Sequence, residues 1–417
     1  MVRLIVEGFV KPGFEGVRKA FQKNLDSGLD KGGSFASYYC GELVVNLWGG
    51  YADEEVKRWW DGQTLSALFS LTKGVVAMVI AHMVDRDLLK YEDKVCQYWP
   101  EFAQNGKADI TLAQFMSHQA GVPALDEEFT ISMLRDNPAK LGRLLAAQPP
   151  MWPPGKSHGY HPITFGLYLD QLVRRCDPKL RSLSQYFQEE IAQPFGVEIY
   201  IGLPKPLQYR ATRVCFMKKY NDYYSPADFK GDVTILKKTI KNPRDFSDAR
   251  KINHPDNREL PSGSTHGHGT AASLAKLYGI LANGGNYEGK QLLPEHIIQR
   301  FSVPLVRGVG RTWGFDSMLS LGFHNMGVVE GNEPPRFLFG HGGFGGQYSG
   351  ADPKHKLSFV YTTNYCNPQS GVDKIPPRFS VLFHALYGCV REKEGLAQPW
   401  ELHFTNSSLS QTGKSKL

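Results

Sequence analysis

The sequence predicts an α/β (α+β) fold in which one mixed sheet is assembled from both ends of the chain and a helical lobe is inserted between them. Two observations carry this. Short apolar stretches with turn residues between them occur in the first 50 residues and return after residue 337, as strands do. Patterns with a helical period fill most of the chain in between. At 417 residues the chain is long enough for two domains, or for one large domain with an inserted lobe.

Taken in order, an extended apolar segment opens the chain, and a helix follows from Glu15 to Leu25, stopping near Asp26-Ser27-Gly28. Ser34 to Cys40 and Glu42 to Gly50 flank Gly41 and read as a hairpin. Leu65 to Phe69 leads into a helix that starts at Ser70 and stays apolar to about Val84, where Asp85-Arg86-Asp87 breaks the run. A short helix over Leu112 to Met116 ends in the turn Ser117 to Gly121. Pro138 to Ala147 is a further helix, with Asn137 as its N-cap and Pro138 at the first position, where a missing N–H costs nothing. After a Pro-rich break at 149–155, an amphipathic helix runs from Pro162 to Arg175, which places Tyr160 on the loop just before it. Thr270 to Asn283 and Pro294 to Phe301 are helices, followed by strands at Phe337 to Phe339, Gly346 to Ala351 and Leu357 to Thr363. A last helix covers about Phe379 to Val390. The expected division is a sheet domain from 1–75 plus 265–400, a helical domain over 76–264, and a flexible tail over 401–417.

Composition narrows the function classes. Hydrophobic content of 41% and charged content of 21% are those of a globular protein, and no apolar run is long enough for a membrane span. The N-terminus lacks the basic region and apolar core of a secretory signal. Six cysteines stand without a Cys-x-x-Cys pair, which reads as free thiols in a reducing compartment. His266 and His268 have no carboxylate-rich partner motif, so neither a metal nor another cofactor is expected. The net charge is +7, and between Lys205 and Glu259 there are 13 Lys/Arg against 7 Asp/Glu. That basic segment, 205–262, shows no sustained periodicity and reads as a solvated excursion rather than a nucleic-acid groove. The sequence ends Ser415-Lys416-Leu417 after a polar tail, which reads as the peroxisomal address recognised by an import receptor.

The chemistry is expected at Ser70-Leu71-Thr72-Lys73. Residues i and i+3 share a helix face, so the Ser70 hydroxyl and the Lys73 ammonium point the same way. A serine becomes a nucleophile when a neighbouring base takes its proton, and a lysine serves if burial lowers its pKa. The spacing recurs at Ser273-Leu274-Ala275-Lys276, but on an ordinary half-exposed helix. The Ser70 N–H at the helix start suits an oxyanion donor, and Gly340-His341-Gly342-Gly343-Phe344-Gly345-Gly346 supplies an edge backbone that can approach a ligand closely.

Ser70-Leu71-Thr72-Lys73, Tyr160 in Trp152-Pro153-Pro154-Gly155-Lys156-Ser157-His158-Gly159-Tyr160, and His341-Gly342-Gly343 stand in the order of the serine β-lactamase-like superfamily, which the chain resembles from about residue 8 to 390. Trp48-Gly49-Gly50, Tyr98-Trp99-Pro100 and Ser117-His118-Gln119-Ala120-Gly121 look most like its esterase-type branch. The resemblance implies a β-lactamase/transpeptidase-like fold, with an antiparallel sheet flanked by helices and an inserted all-helical domain. It implies Ser70 as the acylated nucleophile, Lys73 as its base or proton relay, and Tyr160 as the paired acid or base. It also implies His341, Gly342 and Gly343 in the place of Lys-Thr-Gly, and Phe344 N–H as second oxyanion donor. Two departures, Tyr160-His161-Pro162 where relatives that hydrolyse β-lactams carry Tyr-x-Asn, which puts Pro162 in the place of Asn, and His341 where they carry Lys, favour a small ester or similar acyl substrate. His118 and His158 are substrate contacts or, as turns suggest, structural; Trp152, Phe344 and Tyr348 line an acyl pocket or belong to the core. The expected activity is esterase-type acyl transfer, with a transesterase or peptidase as alternatives, and a non-catalytic scaffold as the rival from another class.

Overall fold

The computed structural model describes residues 3–217, 229–244, 248–367 and 376–412. Ser415-Lys416-Leu417 lies outside these.

Both ends of the chain build one sheet. The N-terminal part supplies β1 (Val6–Val10), β2 (Gly32–Tyr39) and β3 (Glu42–Asp53). The C-terminal part supplies β4 (Val306–Val309), β5 (Asp316–Leu319), β6 (His324–Glu330), β7 (Arg336–Gly343), β8 (Gln347–Asp352) and β9 (Leu357–Thr363). Their order is β1-β3-β2-β9-β8-β7-β6-β5-β4, and each pairing along it is antiparallel. The two chain ends meet where β2 pairs β9, with Phe35 opposite Tyr361 and Ala36 opposite Val360.

Alternation along the strands sorts side chains to two faces. Phe35, Phe359 and Tyr361 pack with Phe21, Phe379 and Phe383 from helices Glu15–Asp26 and Pro377–Lys393. Ala36, Val360, Ala351 and Phe339 face the other way, against helix Ala271–Ala282 and helix Leu71–Asp85. From Leu71 to Met83 every residue of the latter helix is buried, as an all-round apolar helix requires. Helices Pro138–Ala147 and Thr164–Cys176 lie in the lobe beyond it, and Asn137 Oδ1 accepts the Lys140 N–H at the first of them, as expected of an N-cap.

Three features differ from the sequence expectation. Strands β4, β5 and β6 extend the sheet past β7; β4 and β5 are four residues each, and β6 carries a central glycine, so they lack the long alternating apolar pattern that marks a strand. The expected flexible tail begins instead with strand Trp400–His403, which pairs β6. Trp400 packs its ring on His384 and Tyr387, and Phe404 is buried against Tyr348 and Phe379, so aromatic anchors hold this segment, with helix Asn406–Thr412 after it. Within the basic excursion, Val233–Lys241 is a helix capped by Asp232. All six cysteines are free thiols. Among the described residues no helix is long and apolar enough to cross a membrane.

Candidate active site

The turn that carries Ser70 is built before the helix begins. Ser66–Ala67 pairs with Gly267–Gly269, which pairs in turn with Ile199–Ile201. Leu68 N–H donates to Gly267 O at 2.8 Å, and Gln347 Nε2 of β8 donates to Ala67 O at 3.0 Å. Phe69 then adopts φ +45°, which a non-glycine residue holds only when its surroundings enforce it. Thr72 enforces it here: its Oγ1 donates to Phe69 O at 2.6 Å and accepts Gly267 N–H at 3.0 Å. Strand β7 closes on the same turn. A Cβ on Gly343 would stand 3.1 Å from Leu71 Cγ and 3.2 Å from Leu68 O, so a larger residue there would have to push these neighbours back by a few tenths of an ångström. Phe344, the next residue, sets its ring edge-on to Phe69 at 5.4 Å.

Ser70 Oγ stands between two groups. Lys73 Nζ lies 3.2 Å away, and the Tyr160 hydroxyl donates to it at 2.8 Å. Lys73 is fully buried and also donates to Pro162 O at 2.8 Å and Ser264 O at 2.9 Å. Burial drives its amine well below the ordinary lysine value. A neutral amine has two N–H bonds and one lone pair. In that form the two carbonyls, which can only accept, would use both N–H bonds and leave the lone pair toward the serine hydroxyl. The acceptors are themselves fixed. Ser264 Oγ donates to Ile163 O and accepts Gly166 N–H, and a Cβ on Gly166 would lie 2.4 Å from Gly263 C and Ser264 N. Tyr160 moves the other way: burial raises its phenol, opposed only by the contact with Ser70, so it stays protonated. The set forms a proton path from phenol to hydroxyl to amine.

Histidines surround Tyr160. His118, His324 and His341 have ring centroids 5.0, 5.7 and 6.0 Å from its ring, and all are buried. Burial holds His118 and His341 well below the ordinary imidazole value and brings His324 and His161 down to about 3. His161, on the residue after Tyr160, spends both nitrogens on backbone: Nδ1–H donates to Gly159 O at 2.6 Å, and Nε2 accepts Val122 N–H at 3.1 Å. His118 Nδ1 accepts His161 N–H, and His158 Nε2 meets Gly308 O, so both hold turns together as the turn reading expects. His341 Nδ1–H donates to Gly342 O at 2.7 Å, which leaves its Nε2 as a bare acceptor.

The structure thus brings Ser70, Lys73, Tyr160, His341, Gly342, Gly343 and Phe344 to one place. The second Ser-x-x-Lys separates: Ser273 Oγ accepts from Glu198 N–H and Thr270, while Lys276 Nζ lies over the Tyr287 ring. Tyr348 packs on Phe379 in the far core, and Trp152 is buried with its Nε1–H on Ser157 O, whereas Phe344 meets Phe69 and Phe216 beside Ser70. Sequence reasoning did not find His324 or Trp313, which face Tyr160 from the strands and loop beyond β7. Only the recognition of β6 as a strand next to β7 would have found His324.

The family model described as Beta-lactamase matches residues 17–382. The chain is 30% identical over 383 residues to the esterase/beta-lactamase LipL of Mycobacterium tuberculosis, covering 86% of this chain and 83% of that protein. Two solved structures are similar over 92% of this chain and 99% of their own. A penicillin-binding protein homologue from Caulobacter crescentus has TM-score 0.80 and 31% identity, and a family VIII carboxylesterase has TM-score 0.79 and 32% identity.

Proposed function

Because the chain belongs to the beta-lactamase family of hydrolases, we propose that it is a serine hydrolase of the esterase type, cleaving small esters, and amides secondarily, through an acyl-Ser70 intermediate. The observation that carries this reading is a serine hydroxyl held between a buried amine at 3.2 Å, whose hold on its proton burial weakens, and a buried phenol at 2.8 Å. As Ser70 Oγ attacks the acyl carbon, its proton passes to the Lys73 lone pair. The oxyanion settles between Ser70 N–H and Phe344 N–H at the helix start and the strand end. Collapse expels the alkoxide, which takes a proton from Tyr160, and Tyr160 is restored from Lys73. Water then enters and repeats the path in reverse, releasing the acid and free Ser70.

An ester substrate fits the neighbours of this centre. Pro162 has no side-chain amide to offer a substrate amide, and His341 is buried and uncharged, so it does not offer a carboxylate what a lysine would. The LipL and carboxylesterase names accord with such a substrate. The test is turnover of short p-nitrophenyl esters by the wild type and by Ser70→Ala. Loss of turnover in the variant supports the reading, and a well-folded wild type without turnover, or a variant that retains it, rejects it.

We also propose delivery to the peroxisomal matrix through Ser415-Lys416-Leu417. Deleting the three residues should leave a tagged protein in the cytosol, and unchanged peroxisomal location would refute the signal.

A further inference from the structure

Beside Tyr160 lies a narrow cleft with Trp313, Phe315, Leu319 and His324 among its walls. If Tyr160 hands its proton to the leaving oxygen, the wall that contains Tyr160 is where the alcohol portion of the ester must sit. The chemistry of that wall is unusual. It is largely aromatic and aliphatic, with Ser317 as a polar group at the strand Asp316–Leu319. Into it comes His324, which is 5% exposed and whose Nδ1 and Nε2 both have no hydrogen-bond partner among the described residues. His324 stacks on His341 at 4.1 Å between centroids, and His341 Nε2, a bare acceptor, likewise has no partner among them.

A buried polar group without a partner is costly, so such a pair favours a ligand that completes it. A neutral imidazole offers one N–H and one lone pair on His324, and a further lone pair comes from His341. A carboxylate can only accept and an ammonium can only donate. A hydroxyl does both at a single atom without a change of charge, whereas an amide needs two separate atoms to do so.

We propose that His324 reads a free hydroxyl on the alcohol portion of the ester, so that the preferred substrates are monoesters of glycol- or glycerol-type alcohols. The proposal rests on the serine hydrolase reading and names the substrate class of the same site.

The test compares 2-hydroxyethyl butyrate with n-propyl butyrate, which share the acyl group and differ by a hydroxyl in place of a methyl. p-Nitrophenyl butyrate, with the same acyl group, reports on the Ser70 chemistry alone. The wild type should favour the hydroxyethyl ester by about tenfold or more in kcat/KM, since a site built for a hydroxyl discriminates against the analogue lacking it. His324→Leu should bring the ratio to about one, and His324→Asn, which retains a donor and an acceptor, should keep most of it. Equal kcat/KM for the two alkyl esters in an enzyme that turns over p-nitrophenyl butyrate overturns the proposal and leaves the hydrolase reading standing. A His324→Leu variant that keeps the wild-type ratio overturns it in the same way. No turnover of any of the three by folded protein rejects the hydrolase reading, and this proposal with it. Should the leucine variant fail to fold, the wild-type ratio and the asparagine variant decide.

Discussion

Replacing Lys73 with methionine keeps most of the side-chain volume in the buried helix and removes only the amine. The loss in activity follows from the role. Without a base at 3.2 Å, Ser70 must surrender its proton to solvent, and a positioned general base is worth about 100- to 10,000-fold in rate, or roughly 3–5 kcal/mol of barrier. The effect on stability has two opposed parts. Pro162 O and Ser264 O lose their donor, at about 1–3 kcal/mol each, while the cost of burying an amine disappears. The absolute difference is therefore not diagnostic, but its pH dependence is. Burial depresses the folded-state value of Lys73, whereas the unfolded chain protonates near the ordinary value. Between those two values the unfolded state holds the extra proton, so wild-type stability rises with pH, by up to about 1.4 kcal/mol per pH unit relative to the variant. Above the unfolded value the relative gain is complete, and it is lost as pH falls through the window toward the folded value. Urea unfolding of both proteins from pH 7 to 9, with p-nitrophenyl ester turnover alongside, measures each part. Parallel stability curves, or a variant within threefold of wild-type activity, would refute an uncharged Lys73 acting as base.

The remaining predictions concern the neighbours. Tyr160→Phe keeps the ring among His118, His324, His341 and Trp313 and removes the donor to Ser70, so kcat should fall by about 100-fold or more with KM little changed, and steady-state kinetics checks it. Gly166→Ala forces a Cβ to within 2.4 Å of the Gly263–Ser264 backbone, which should cost about 1–3 kcal/mol in urea unfolding and lower kcat by displacing an acceptor of Lys73. Arg378→Met leaves Asp30 buried without its cationic partner and releases the Gly345 carbonyl that follows Phe344, and thermal and urea denaturation should show a loss of about 3–5 kcal/mol.

What the sequence discloses about this site depends on where the chemistry is written. Ser70 and Lys73 are legible because helical spacing alone aligns them, and the apolar run behind them separates them from Ser273 and Lys276. Tyr160 is legible only through the resemblance, since the residues alone place it on a loop before the helix that starts at Thr164. The groups that tune Lys73 are not, because Pro162 O and Ser264 O are backbone carbonyls and any residue carries one. The Phe69 strain is equally silent, since it depends on Thr72 and Gly267 meeting from positions far apart in the chain. Fold follows the same rule. Long strands such as β3 and β9 announce themselves, while β6, with a glycine at its centre, gains its place from pairing with β7 and with Trp400–His403. His324 is hidden with it.

The central claim is that acyl groups pass through Ser70. Intact-mass and peptide mass spectrometry after treatment with a fluorophosphonate tests it most directly. The expected result is a single adduct on the peptide that contains Ser70, formed by the wild type and absent from folded Ser70→Ala. An adduct on another residue, or folded wild-type protein that takes up none, would contradict it.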